Sequence, residues 1–169
     1  MNGIEIYIDP NLAMLGPFTI SWHGLLTAVG VLIGLWMTAK FAPRVGLTED
    51  NVYSAALWII PGGLVGARLL HVIDQWEFYA ANPVQILAIY EGGIAIYGAV
   101  IGGTITGAIY AIWAKIGVAR LADAAAPGLI LGQGVGRIGD IINGEHHGLP
   151  TDLPWGVIYT HPNTLGELN

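Results

Sequence analysis

The segment 136–148, GRIGDIINGEHHG, holds the densest set of reactive groups in the chain. Arg137 and Asp140 are three residues apart, so on a continuous helix they share a face. Two readings are open. The pair neutralises itself internally, or the planar guanidinium, which chelates phosphate oxygens well, builds an anion site. Asn143 and Glu145 follow, then the adjacent His146 and His147, then Gly148. Neighbouring side chains on an extended segment point to opposite faces, so the two histidines do not share a metal ion. There is no His-Glu-x-x-His spacing and no cysteine, and no metal is assigned. The stretch just ahead, PGLILGQGVG, is free of charge. Polar groups this dense at the end of so apolar a run imply a polar cavity rather than bulk water.

Composition says what must position these groups. Of the 169 residues, 54% are hydrophobic and 11% are charged, against roughly 25% charged in an average soluble domain. The expected class is therefore an all-α, polytopic membrane helix bundle. It has about four transmembrane helices and short interfacial segments. With no cysteine, the chain has no disulfide framework and no thiolate nucleophile of its own. A net charge of −6 argues against nucleic acid as a partner. The glycine-rich run GQGVGRIG lies in an apolar stretch and not after a soluble strand, which excludes a dinucleotide fold.

A spanning helix needs about 20 mostly apolar residues. Four stretches qualify, at 18–41, 51–72, 93–115 and 121–143. Pro61 and Pro127 fall inside spans, where neighbouring helices can satisfy the freed backbone. Residues 1–17 read as an extracytoplasmic lead-in and 144–169 as an extracytoplasmic tail of a single membrane domain. Lys40 and Arg44 lie in the first loop and Lys115 and Arg120 in the third, which makes both loops cytoplasmic. The second loop carries Asp74, Glu77 and Glu91 with no Lys or Arg, and faces outward with the N-terminus. Arg68 and Arg137 remain, near the outward ends of apolar spans. Charge at that depth marks a functional site or an internal pair.

Other polar residues fall at the same level: Ser21 and His23 at the start of the first span, His71 beside Arg68, and Tyr97 at the start of the third. His23 and Tyr97 are equally at home as ordinary interfacial residues. Two arginines with few acids nearby leave positive charge over, and the commonest anion at that depth is a phospholipid phosphate. Glycines four apart recur (Gly30/Gly34, Gly62/Gly66, Gly98/Gly102, Gly128/Gly132), as helix packing in lipid requires. Gly134, Gly136 and Gly139 flank Arg137 and would bare that helix face for an acyl chain.

Three blocks in order, GARLLHV (66–72), EGGIAIYGAVIGG (91–103) and GRIGDIINGEHHG (136–148), together with SWHGLL (21–26), resemble the prolipoprotein diacylglyceryl transferase family. The tail LPWGVIYTHPN is also similar to that family. The resemblance implies transfer of the diacylglyceryl group of phosphatidylglycerol to the lipobox cysteine thiol of a preprolipoprotein. A thioether forms and glycerol-1-phosphate leaves. It implies no metal and no nucleotide cofactor. The implied partners are phosphatidylglycerol, a lipobox signal peptide and membrane lipid. The implied location is the bacterial cytoplasmic (inner) membrane, with the active site outside. By the resemblance, Arg137 engages phosphate, with Arg68, Asn143, Gly98 and Gly148 as substrate contacts. Tyr97, His23, Asp140 and Glu145 complete the catalytic set. The chain departs from the family at Tyr97-Gly98-Ala99, where His-Gly-Gly is common, and the base is left open. It departs also at His23, where tyrosine is common, and at Asp140, often asparagine. The family continues beyond this chain's last residue, so a missing C-terminal half is an expected partner. A non-catalytic lipid-binding membrane fragment or subunit is the alternative, and a small anion channel or carrier a more distant one.

Overall fold

The computed structural model describes residues 3–16, 18–89, 92–145 and 148–166. Glu91, His146 and His147, singled out in the sequence, lie outside the described residues. Four long helices dominate: α1 (Trp22–Phe41), α2 (Glu49–Asp74), α4 (Ile96–Trp113) and α5 (Val118–Asn143), with a short α3 (Trp76–Ala81) between α2 and α4. Two 3-10 turns, Ala42–Val45 and Pro83–Leu87, are the remaining helical pieces. The protein is an α-helical polytopic membrane bundle with a few short strands. Among the described residues, three helical segments are long and apolar enough to cross a membrane: Trp22–Val45, Glu49–Asp74 and Ile96–Trp113. Helix α5 is as long as α2, but its glycines, Gln133, Arg137 and Asp140 lower its hydropathy.

The chain divides into two compact units, 38–125 and 1–37 with 126–169. In the first, α2 begins two residues before the sequence-predicted span because Thr48 and Asn51 form a reciprocal cap. Thr48 Oγ1 accepts from the Asn51 N–H at 3.2 Å, and Asn51 Oδ1 accepts from the Thr48 N–H at 3.0 Å. Glu49 and Asp50 then face the positive end of the helix. Lys40 and Glu49 bridge the turn at 2.8 Å.

Helices α2 and α4 meet backbone to backbone. A Cβ at Gly98 would lie 2.7 Å from Leu70 Cβ and would overlap the Gly66 carbonyl, and one at Gly66 would lie 2.9 Å from Gly102 Cα. No side chain larger than hydrogen fits there, as expected where lipid supplies no hydrophobic drive and close packing must hold helices together. Leu57, Trp58, Ile109 and Ile112 are exposed apolar side chains on the same two helices, as a lipid-facing surface requires.

In the second unit, residues 18–21 form a strand rather than the first turn of a span. The hairpin of β2 (Asn11–Leu15) and β3 (Phe18–Ser21) pairs antiparallel. Ser21 Oγ accepts the Gly24 N–H at 3.0 Å and starts α1. Strand β1 (Ile4–Ile6) pairs parallel with β4 (Val157–Tyr159), joining lead-in to tail. Helices α1 and α5 approach through Gly30 and Gly132: a Cβ at Gly30 would sit 2.6 Å from the Gly132 carbonyl oxygen.

Candidate functional site

In the unit containing the chain ends, three pieces of structure converge: the start of α1, the end of α5 and the segment just after it. Gly139 permits the first contact, since a Cβ there would lie 2.8 Å from His23 Cα. Helix α5 ends at Gly144, whose φ of 78° suits glycine, and the N–H groups of Gly144 and Glu145 both donate to the Asp140 carbonyl at 3.0 Å. The tail then folds back. The Leu165 N–H donates to the Asn143 carbonyl at 2.9 Å, and the Tyr159 hydroxyl donates to the Ile141 carbonyl at 3.0 Å. Burial raises the Tyr159 hydroxyl above its usual pKa of 10.0, which keeps it a donor.

These constraints set an ionic network. Asp140, 7% exposed, lies between Arg137 and His23. Arg137 Nη1 donates to its Oδ2 at 2.9 Å, and His23 Nδ1 lies 2.8 Å from its Oδ1. The histidine contact has the separation of an ion pair without the alignment of a hydrogen bond. Glu145 Oε2 stands 4.0 Å from the same Nδ1, and Asn143 Nδ2 donates to Glu145 Oε1 at 3.3 Å. The Arg137 side chain is 66% exposed. Among the described residues its Nε and Nη2 donate to no protein acceptor. Beside it, a Cβ at Gly134 would meet nothing within 4 Å, and one at Gly136 only Thr27 Oγ1 at 3.9 Å. Gly148 also borders open space. Gly139, grouped in the sequence with Gly134 and Gly136 as baring a groove, instead packs α5 against α1.

One atom each of His23, Asp140 and Glu145 lies within 4.8 Å of the others, a grouping of metal-ligand types that no spacing in the sequence shows. Arg137 already lends its charge to the same carboxylate, so the cluster is read as an ionic network.

The other expected site residues lie in the 38–125 unit and behave differently. Arg68 was expected to bind phosphate. Its side chain is buried, and all five N–H groups donate to backbone carbonyls. Nε donates to Ile86 at 3.0 Å, Nη1 to Gly92 and Gly93 at 2.7 Å each, and Nη2 to Gln85 and to Ala88. The guanidinium also lies 5.1 Å from the Tyr79 ring centroid. No donor is left for an anion. Gly93, at φ 73°, makes this possible: a Cβ would lie 2.7 Å from both Arg68 Nη1 and His71 Nε2. A cavity of about 260 Å³ adjoins the pin, lined by His71, Phe78 and Gln85 among others. Gly98 was expected to contact substrate; its bare Cα accommodates Gly66. Tyr97, in the first turn of α4, is largely exposed. Sequence reasoning missed Tyr79 and the carbonyls of Gln85, Ile86, Ala88, Gly92 and Gly93; the paired glycines at 92–93 were the one available signal.

Long apolar helices that end in a buried carboxylate shared by an arginine and a histidine define a helical membrane protein with a polar site at a helix terminus. The family model for prolipoprotein diacylglyceryl transferase matches residues 10–168. Phosphatidylglycerol–prolipoprotein diacylglyceryl transferases are similar over most of this chain. That of Trichormus variabilis is 44% identical over 146 residues, covering 86% of this chain and 52% of the relative. That of Synechococcus elongatus is 42% identical over 146 residues, covering 86% and 50%. That of Bacillus cereus strain B4264 is 41% identical over 141 residues, covering 83% and 52%. The chain belongs to the prolipoprotein diacylglyceryl transferase family, and it spans about half the length of the curated relatives it matches.

Proposed function

We propose that this chain takes part in moving a diacylglyceryl group from phosphatidylglycerol to the lipobox cysteine thiol of a preprolipoprotein. The observation that carries the reading is Arg137: one nitrogen is anchored on Asp140, and the rest of a largely exposed guanidinium stands on a helix face bared by Gly134 and Gly136. A phosphodiester can meet the free edge of the fork while its acyl chains lie along the glycines. As the C–O bond breaks, the fixed positive charge stabilises the leaving phosphate. Asn143 and Glu145 brace the network at the end of α5, and Gly148 is proposed as a substrate contact. Tyr97 is proposed to orient substrate oxygens. The site faces the outside of the cytoplasmic membrane, a placement supported by the basic residues Lys40, Arg44, Lys115 and Arg120, which lie at or near the α1–α2 and α4–α5 connections.

The test is a transfer assay in vesicles of labelled phosphatidylglycerol with a lipobox peptide. It uses the chain alone and the chain supplemented with a polypeptide supplying the relatives' remaining length. Arg137→Lys keeps the charge and loses the fork, and a loss on the order of 10²-fold is expected. Near-parental transfer by that variant would refute the role.

A further inference from the structure

Thioether formation needs a group to take the thiol proton, and the transfer reading above does not say which. Histidine is the side chain best matched to that task near neutral pH. Five are present: His23, His71, His146, His147 and His161. His71 faces the Arg68 pin and the edge of Tyr79, with ring centroids 5.8 Å apart. His161 packs on Tyr7 and donates nothing to the Arg137 network: its Nδ1 accepts the Asn163 N–H at 3.2 Å. His23 alone among the described histidines contacts the carboxylate that also holds Arg137.

We propose, resting on the transfer reading, that His23 takes the proton of the acceptor thiol and that Asp140 positions it. Nδ1 is buried against Asp140 Oδ1 at 2.8 Å, while the side chain as a whole is 38% exposed. The exposure therefore belongs to the remainder of the side chain. A carboxylate beside Nδ1 favours the tautomer with the proton on Nδ1, and that leaves the Nε2 lone pair outward as the base. Asp140 thereby serves two groups, facing the imidazole across one oxygen at 2.8 Å and holding the phosphate-binding arginine by a hydrogen bond to the other. This sets the base and the phosphate ligand on one support. The charged groups facing His23 among the described residues are Asp140 and, through it, Arg137 on α5, and Glu145 at 4.0 Å in the segment after it.

The step balances without a further reagent. The thiol proton passes to Nε2, and the sulfur electron pair forms the new C–S bond. The C–O pair leaves on the phosphate oxygen. The proton on Nε2 then passes to the departing phosphate monoester or to water.

Two measurements test this on the purified chain in phosphatidylglycerol nanodiscs, supplemented as above. First, His23→Gln should lower transfer to a lipobox peptide by about 10²-fold or more at pH 7. Most of that deficit should vanish near pH 9.5, where the peptide thiol, of ordinary pKa ≈ 8.5, ionises unaided. Transfer within threefold of the parent at pH 7, or a deficit undiminished at high pH, overturns the assignment. Second, nitrogen-15 NMR of the histidine-labelled parental chain reads the His23 tautomer without any substitution. Protonation at Nδ1, shifted toward Nε2 in Asp140→Asn, is expected; a neutral ring protonated at Nε2 in the parent overturns it. A parent that transfers nothing under any condition refutes the transfer reading and His23's part in it together. A parent that transfers while His23→Gln keeps pace refutes only His23.

Discussion

Replacing Arg68 separates two uses of a membrane arginine. If Arg68 were an anion ligand, its removal would abolish binding and leave the fold intact or firmer, because a costly buried charge would be gone. The structure makes the opposite demand. In Arg68→Met the carbonyls of Gln85, Ile86, Ala88, Gly92 and Gly93 lose their common donor. A hydrogen bond to a charged group contributes about 1.5–3 kcal/mol net. Five of them do not add, since one rigid group makes them all and the Gln85 carbonyl also accepts the Ala88 N–H at 3.1 Å. The breaking of a buried charged network sets the scale instead, at about 3–5 kcal/mol. For a chain of this size each kcal/mol moves the midpoint by about 2–4 °C, so a drop in Tm on the order of 10 °C follows. Arg68→Lys should recover part of it, since an ammonium offers three donors from one point rather than a fork of five. The assay is thermal unfolding in detergent, paired with hydrogen exchange of the amides of 84–89 and 92–95. Exchange should rise there first, because the loop loses its pin. An Arg68→Met protein that melts within about 2 °C of the parent, with unchanged exchange over that loop, refutes the reasoning.

The glycines offer a paired comparison by the same melting assay. Gly98→Leu should cost at least the 1–3 kcal/mol of ordinary overpacking, because its Cβ meets the Gly66 backbone, whereas Gly134→Ala, with nothing within 4 Å, should be neutral or stabilise by roughly 0.5–1 kcal/mol. Asp9 accepts the Asn11 N–H at 2.9 Å and the Asn163 side-chain amide at 3.2 Å, and His161 lies 3.9 Å away. The bond from Asn11 is the main cause that holds its carboxyl below the usual 3.8. A lowered folded pKa means the contribution is present above the unfolded value and is lost as pH falls through the folded one. NMR titration should therefore place the Asp9 midpoint below 3.8, and an Asp9 that titrates at or above that value sinks the assignment.

The helices were legible because apolar runs of spanning length leave few alternatives for a backbone that must satisfy itself. The Arg137–Asp140 pair was legible because helical spacing puts residues three apart on one face, and the structure closes it at 2.9 Å. The glycine pairs announced close packing, but not which helix each would meet. Two things were out of reach. The parallel pairing of β1 with β4 joins three-residue strands from opposite ends of the chain, too short to show any alternation. The His23–Asp140 contact depends on how α1 and α5 approach at Gly139, and a list of polar residues at one depth does not say which of them touch.

Arg68 and Arg137 show most sharply why residue type and membrane depth do not settle a role. Both sit near the ends of apolar helices, and the sequence treats them alike. What separates them is the acceptors that the neighbouring backbone can bring. Beside Arg68, the carbonyls of Gln85, Ile86, Ala88, Gly92 and Gly93 turn inward, and Gly93 lets the backbone approach to within bonding distance of the guanidinium. A charge so fully solvated by dipoles has no N–H left to offer, and it acts as a pin. Beside Arg137 the glycines lie on its own helix, whose carbonyls already serve the helix, so they contribute space rather than acceptors. One carboxylate oxygen then holds the fork in place without filling it. An arginine in a membrane protein should thus be read by counting the carbonyls within reach of its five donors: full occupancy argues for structure, and partial occupancy beside empty space argues for a ligand.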